Sequence, residues 1–129
     1  METFKEYIEK LDKLEFEKMY ENDFFLTWEK TRDELEAVFT VADTLRYLRE
    51  NNISTKIFDS GLGISLFRDN STRTRFSFAS ACNLLGLEVQ DLDEGKSQIS
   101  HGETVRETAN MISFMADIIG IRDDMYIGK

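Results

Sequence analysis

The sequence predicts an α/β fold in which helices cover both faces of a parallel sheet, a three-layer α/β/α arrangement. From Gly61 onward, three short apolar runs alternate with two stretches of helical periodicity. In chain order, the predicted elements are a strand at 64–67, a helix at 72–86, a strand at 87–90, a helix at 103–116 and a strand at 118–121. This alternation, with short connections, is typical of parallel strands joined by right-handed crossovers.

The residues before Gly61 are predicted to be mainly helical. Residues 2–21 carry scattered apolar side chains among many charges, which favours an acidic, loosely amphipathic helix or pair of helices. Thr31 and Glu34 fit a capping box, and apolar residues then recur at helical spacing as far as Glu50. Between these helices, we expect the apolar cluster at 24–28 to be buried.

Two regions follow from this pattern. Residues 1–23 form an acidic helical extension, and residues 24–129 form the α/β domain. Because the sequence stops at Lys129, shortly after a strand and without a helix to cover it, we expect this domain to be incomplete and to belong to a larger protein.

Composition narrows the classes of function. The formal net charge is −9 at pH 7, so no long-range attraction would draw this chain to a nucleic acid or an anionic membrane. The single cysteine, Cys82, cannot form an internal disulfide, which predicts a cytoplasmic location. Residues 1–20 contain no apolar run, so we expect neither a signal peptide nor a membrane span there. Any phosphate site must therefore be local and built from a few cations.

The pentapeptide Ser-Thr-Arg-Thr-Arg at 71–75 is the strongest functional signal. It lies between a predicted strand and a predicted helix. Early backbone N–H groups of a helix have no intrahelical partner, and the helix dipole adds partial positive charge there. The hydroxyl groups and the Arg73 guanidinium add donors suited to phosphate or carboxylate. The segment therefore predicts an anion site.

Two further polar groups are predicted at the same edge of the sheet. The 91–102 loop follows the second strand, and Arg122 follows the third. Ligands of open α/β sheets bind at the carboxyl ends of the strands. Taken singly, each feature would favour a simpler interpretation, as a helix cap, a solvated loop or a surface arginine. Three of them on one edge favour an anion site.

Other chemistries find less support in the sequence. Gly95-Lys96-Ser97 does not complete a phosphate-binding loop, because Gln90 stands where the first glycine is required. His101 is the only histidine, so we expect neither a histidine-rich metal site nor a serine–histidine–aspartate triad. Cys82 lies among apolar helix residues and is predicted to be a small core side chain.

Residues 71–78, Ser-Thr-Arg-Thr-Arg-Phe-Ser-Phe, resemble the carbamoyl-phosphate signature of the aspartate/ornithine carbamoyltransferase family. Similar blocks follow in the same order at 97–104, Ser-Gln-Ile-Ser-His-Gly-Glu-Thr, and at 120–122, Gly-Ile-Arg. The resemblance covers residues 24–129 and is strongest to the knotted carbamoyltransferases whose second substrate is unassigned. It implies that residues 24–129 form the carbamoyl-phosphate-binding domain.

The resemblance also implies roles for individual residues. Ser71, Thr72, Arg73 and Thr74 match the family positions that hold the phosphate of carbamoyl phosphate. Arg122 matches the arginine that reaches the carbonyl oxygen and a phosphate oxygen. Arg73 and Arg122 are therefore the expected catalytic residues.

A neighbouring subunit contributes to the active site in this family, whose members form trimers. Ser97 and Gln98 match the positions that cross to the neighbour, and His101 is a further candidate. Aspartate-type enzymes place a lysine where His101 stands, and ornithine-type enzymes follow their histidine with a lysine where this chain has Gly102. This chain therefore offers its neighbour less positive charge than either pattern.

The implied reaction transfers the carbamoyl group of carbamoyl phosphate to an amino group of an amino-acid-like substrate and releases phosphate, with no metal or organic cofactor. Because family members are much longer than this chain, we expect the isolated 129 residues to be inactive. One alternative is a non-catalytic phosphometabolite-binding or regulatory protein of the same fold. Another is a structural module in which the basic residues merely pair with carboxylates.

Overall fold

The computed structural model describes residues 3–67, 72–92 and 105–122. The chain divides into two compact units, Met1–Thr55 and Lys56–Lys129. Within the described ranges, no helix combines the length and the apolar character that a membrane crossing requires. The separate division proposed from the sequence, at residue 23, stays a prediction.

The first unit contains two helices, α1 (Phe4–Asp12) and α2 (Arg32–Glu50). The predicted capping box at the start of α2 is confirmed. The Thr31 hydroxyl accepts a hydrogen bond from the Glu34 N–H at 3.1 Å, and the Glu34 carboxylate accepts one from the Thr31 N–H at 2.8 Å. Two orphan donors of the helix start are thereby satisfied, which fixes where α2 begins.

The apolar cluster at 24–28 is exposed, and the prediction that it is buried is wrong. Phe25 and Trp28 expose 77% and 81% of their surface. The cluster lies in an irregular stretch whose only regular element is the single 3-10 turn Thr27–Glu29. Such a stretch has no repeating face that could turn the aromatic side chains inwards together.

The second unit is built on a three-stranded parallel sheet with strand order β2-β1-β3. The strands are β1 (Leu62–Phe67), β2 (Glu88–Asp91) and β3 (Ile118–Arg122), and the helices between them are α3 (Thr72–Leu85) and α4 (Val105–Met115). Because β2 and β3 lie on opposite sides of β1, right-handed crossovers place α3 and α4 on opposite faces. The predicted α/β fold is confirmed.

The register of the sheet determines which residues meet at its carboxyl edge. Ser65 of β1 pairs with Asp91 at the end of β2, and Phe67 pairs with Arg122 at the end of β3. The buried apolar residues described in this unit are Ile64, Phe67, Cys82 and Leu87, and the buried Ser65 hydroxyl lies on the central strand. The ends of all three strands are thus held together by one small core.

At the opposite edge of the sheet, β1 begins two residues earlier than the sequence pattern predicts. The Leu62 N–H donates to Oδ2 of Asp117 at 2.8 Å, and the Leu62 carbonyl accepts from the Asp117 N–H at 2.8 Å. This reciprocal pair satisfies backbone groups that would otherwise need another partner, and so extends the strand.

Candidate functional site

The carboxyl ends of β1 and β3 bring two distant parts of the sequence together. Phe67 and Arg122 are the last residues of their strands and pair directly across the sheet. Helix α3 begins at Thr72, shortly after β1 ends. Arg122, at the end of β3, therefore lies beside the first turn of α3, as the sequence predicted.

Arg122 contacts that first turn directly. Its Nη1 atom donates a hydrogen bond to Oγ1 of Thr74, with a donor-to-acceptor distance of 2.9 Å. The Arg122 side chain is exposed, whereas Thr74 is half-buried. Two of the residues predicted to bind one anion thus touch each other, with one carrying the positive charge and the other a hydroxyl group.

The remaining described residues of the predicted anion site stand at the start of α3. Thr72 and Arg73 are exposed in its first turn, where the helix dipole is positive. No residue within the described ranges pairs with the Arg73 guanidinium. A guanidinium in the first turn of a helix is chemically suited to bind an anion.

The second arginine of the motif, Arg75, is bound to other described residues. The Nη2 atom of Arg75 donates to the Phe67 carbonyl at 2.9 Å, and its Nη1 atom lies 3.2 Å from Oδ2 of Asp91. Arg75 is therefore turned towards the sheet. The sequence analysis assigned Arg75 no role of its own and treated Asp91 only as part of a polar loop. The one available signal was that Asp91 directly follows the second predicted strand.

Several predicted site residues lie outside the described part of the chain. Ser71 falls between β1 and α3, and Ser97, Gln98 and His101 fall between β2 and α4. The described chain approaches this second segment at Leu92, whose N–H donates to the Ser65 carbonyl at 2.8 Å. The roles of these four residues stay predictions.

The described residues offer no alternative metal or thiol chemistry. Among them, no group of three or more histidine, cysteine, aspartate or glutamate side chains is arranged to hold a metal ion. Cys82 is 4% exposed, and burial raises the pKa of its thiol above the ordinary value. A thiol that resists ionisation is a poor nucleophile, so Cys82 belongs to the core, as predicted.

A cleft of about 330 Å³ lies in the first unit, which does not include the sheet. Its lining includes the carboxylates of Glu15, Glu17, Asp33 and Glu34, against the cations of Lys18 and Arg32. Because negative charge prevails there, this cleft does not suit a phosphate. Among the described residues, the groups predicted to bind an anion lie at the carboxyl edge of the sheet.

Comparison with known protein families assigns the chain to one of them. The carbamoyl-phosphate-binding domain of the aspartate/ornithine carbamoyltransferases matches residues 22–128. That match covers most of the chain, and the chain belongs to this family.

Individual relatives agree with this assignment. The chain is 69% identical over 128 residues to YgeW of Escherichia coli (strain K12), which is provisionally named a carbamoyltransferase. It is 36% identical over 92 residues to the aspartate carbamoyltransferase catalytic subunit of Saccharophagus degradans. These alignments cover 99% and 70% of this chain but only 32% and 27% of the two relatives. The chain thus spans about a third of the length of YgeW.

A solved structure shares the fold. Aspartate transcarbamoylase from Trypanosoma cruzi, in complex with carbamoyl phosphate and aspartate, superimposes with a TM-score of 0.71 at 22% sequence identity. The similarity covers 78% of this chain and 32% of that one. It supports the parallel-sheet architecture described above.

Proposed function

We propose that the full-length protein is a carbamoyltransferase and that this chain provides its carbamoyl-phosphate site. The amine nitrogen of a second substrate attacks the carbonyl carbon and forms a C–N bond. The bond from that carbon to the phosphate oxygen breaks, phosphate leaves with the electron pair, and the nitrogen loses a proton. The single observation that carries this proposal is the contact between Arg122 and Thr74, since it joins the two halves of one anion site.

The residues of the carboxyl edge have distinct tasks in this reaction. Ser71, Thr72, Arg73 and Thr74 hold the phosphate through hydroxyl groups, early helix N–H groups and one guanidinium. Arg122 polarises the carbonyl group and stabilises the oxyanion that develops on it. Preorganised donors of this kind act where charge appears in the transition state, and the site also holds the donor in line for attack.

The acceptor is an amino-acid-like amine, which the remainder of the full-length protein would select. Ser97 and Gln98, with His101, would reach the site of a neighbouring subunit in a cytoplasmic homotrimer. This arrangement would explain why a single chain offers only part of the positive charge that a phosphate dianion and a developing oxyanion require.

The proposal is tested with the full-length protein by calorimetric titration with carbamoyl phosphate. Arg73→Ala removes the guanidinium that no described residue neutralises, so binding should be lost. Arg46→Ala is the matched control, because Arg46 is an exposed arginine of α2 whose Nη1 lies 3.8 Å from Asp43 in the first unit. Unchanged affinity of the Arg73 variant would refute the site.

A second candidate function is a non-catalytic protein that binds a phosphometabolite through the same edge. The pair His101-Gly102 favours it, because the segment that would serve a neighbouring site lacks the lysine of both family patterns. Phosphate release from carbamoyl phosphate, measured with a panel of amino acids and other amines, separates the two functions. An enzyme releases phosphate faster with one amine, whereas a binding protein takes up carbamoyl phosphate without amine-dependent release.

A further inference from the structure

Arg75 connects three elements at the carboxyl edge of the sheet. It belongs to the first turns of α3, its Nη2 atom donates to the carbonyl of Phe67 at the end of β1, and its Nη1 atom reaches Asp91 at the end of β2. A guanidinium can serve two acceptors at once because its donors are fixed in a planar fork. The start of α3 is thereby held to both strands.

Asp91 has a second partner on its other oxygen. The Ser65 hydroxyl donates to Oδ1 of Asp91 at 2.8 Å, and Ser65 is 1% exposed. Ser65 and Asp91 are also paired in the sheet register. The carboxylate is therefore fixed at the edge of the sheet by a buried hydroxyl on one side and by Arg75 on the other.

The position of Asp91 poses an electrostatic problem for a phosphate site. Asp91 ends β2 at the edge where Arg122 ends β3, and α3 begins at the same edge. An uncompensated carboxylate there would repel a phosphate dianion. Arg75 supplies the compensating charge from a guanidinium that is bound to Asp91 and to the Phe67 carbonyl.

We propose that Arg75 is a positioning residue, which holds the first turn of α3 against the ends of β1 and β2 and neutralises Asp91 beside the anion site. This inference rests on the proposed function, because it takes carbamoyl phosphate as the anion. The two arginines of the motif then have different roles. Arg73 binds the ligand, and Arg75 holds the start of α3 in position and neutralises Asp91.

Exposure to solvent limits how much the charges of Arg75 and Asp91 alone affect the anion affinity. The side chains of Arg75 and Asp91 are 37% and 39% exposed, so their attraction is partly screened. The bond from Arg75 to the Phe67 carbonyl adds a geometric restraint that salt does not screen in the same way. Both effects act on the anion affinity, and substitutions can separate them.

The experiment measures the dissociation constant of carbamoyl phosphate for the full-length protein and its variants by calorimetry. Arg75→Met leaves Asp91 uncompensated and should raise the Kd about tenfold, the effect of one partly screened charge near a dianion. Asp91→Asn removes the carboxylate and leaves the charge of Arg75 unbalanced, so the same electrostatic effect should lower the Kd, by up to about tenfold. Arg46→Met, which breaks a more exposed arginine–aspartate pair in α2, is the control for loss of an arginine charge and should have no effect.

The double variant Arg75→Met/Asp91→Asn is decisive. If Arg75 neutralises Asp91, removing the carboxylate should bring the Kd back to within about threefold of wild type. A merely structural pair would give no such recovery, since both single variants and the double variant would then bind equally poorly. Arg75→Lys keeps the charge without the fork, so it carries the test should Arg75→Met not fold. Its Kd should rise about threefold.

The outcomes separate this inference from the proposed function. Wild-type protein that does not bind carbamoyl phosphate overturns both. Wild-type protein that binds, together with loss of binding in Arg73→Ala and wild-type affinity in the Arg75 variants, overturns the positioning role alone. Failure of Asp91→Asn to restore binding in the Arg75→Met background also overturns it.

Discussion

Thr74 and Arg122 are 48 positions apart in the sequence, yet the Nη1 atom of Arg122 donates a hydrogen bond to Oγ1 of Thr74 at 2.9 Å. The contact exists because Phe67 and Arg122 end neighbouring parallel strands while α3 starts beside them. Under the proposed function, a guanidinium fixed in this way is already oriented before carbamoyl phosphate binds. Orientation before binding is what makes such a donor effective in catalysis.

Under the proposed function, Thr74→Val should impair catalysis by the full-length protein. Valine keeps the shape of threonine and removes the hydroxyl that orients Arg122. Because the bond is solvent-exposed and involves a charged donor, we expect kcat/KM for carbamoyl phosphate to fall about tenfold. Steady-state phosphate release measures the effect. Ser77→Ala is the control, since the Ser77 hydroxyl donates to the Arg73 carbonyl within α3 and not to Arg122.

A double-mutant cycle tests whether the two residues act together. Once Arg122→Gln has removed the guanidinium, Thr74→Val should lower kcat/KM by much less than it does in the wild type. Strictly additive losses would mean that the contact between Thr74 and Arg122 contributes nothing to the site.

Local patterns in the sequence were sufficient for most of this architecture. The helix α3 was predicted at 72–86 and is observed at Thr72–Leu85, with Gly86 ending it. The shared edge of the anion motif and Arg122 was also predictable, since all parallel strands end on the same side of a sheet.

What the sequence could not provide was pairing across the sheet. The bond between Arg75 and Asp91 depends on the strand order β2-β1-β3 and on the register that sets Asp91 opposite Ser65. Neither quantity follows from local periodicity. The prediction that the cluster at 24–28 is buried was wrong for a related reason. Apolar composition without a regular repeat does not determine which side chains are buried.

The backbone conformation of Gly86 leads to a prediction about stability. Its φ angle is +103°, and it ends α3 with the paired bonds from the Leu87 N–H to the Cys82 carbonyl and from the Gly86 N–H to the Asn83 carbonyl. This is the Schellman arrangement, which favours glycine at this position. A Cβ atom at Gly86 would also collide with the backbone of Phe58.

Gly86→Ala should therefore destabilise the second unit by about 1–3 kcal/mol, through a strained φ and the collision with Phe58. The measurement is the urea midpoint of the full-length protein, followed by circular dichroism. Ser80→Ala, at an exposed position of the same helix, should leave the midpoint almost unchanged. A Gly86→Ala variant as stable as wild type would show that the turn tolerates a side chain.

Cys82 gives a prediction about pH. Burial raises the pKa of its thiol, so the folded protein keeps the thiol neutral at pH values where the unfolded chain already ionises it. The corresponding stabilisation is complete below the pKa of an ordinary thiol and is lost as the pH rises above it, because only the unfolded state then gains from ionisation.

Two measurements on Cys82 follow. Alkylation by iodoacetamide at neutral pH should be much slower in the folded protein than in urea, since Cys82 is 4% exposed and its thiolate is disfavoured. In alkaline solution, the free energy of unfolding should fall more steeply with pH for wild type than for Cys82→Ala, which has no thiol to ionise. Equal slopes for the two proteins would mean that the folded thiol ionises as readily as the unfolded one, and that the core around Cys82 admits water.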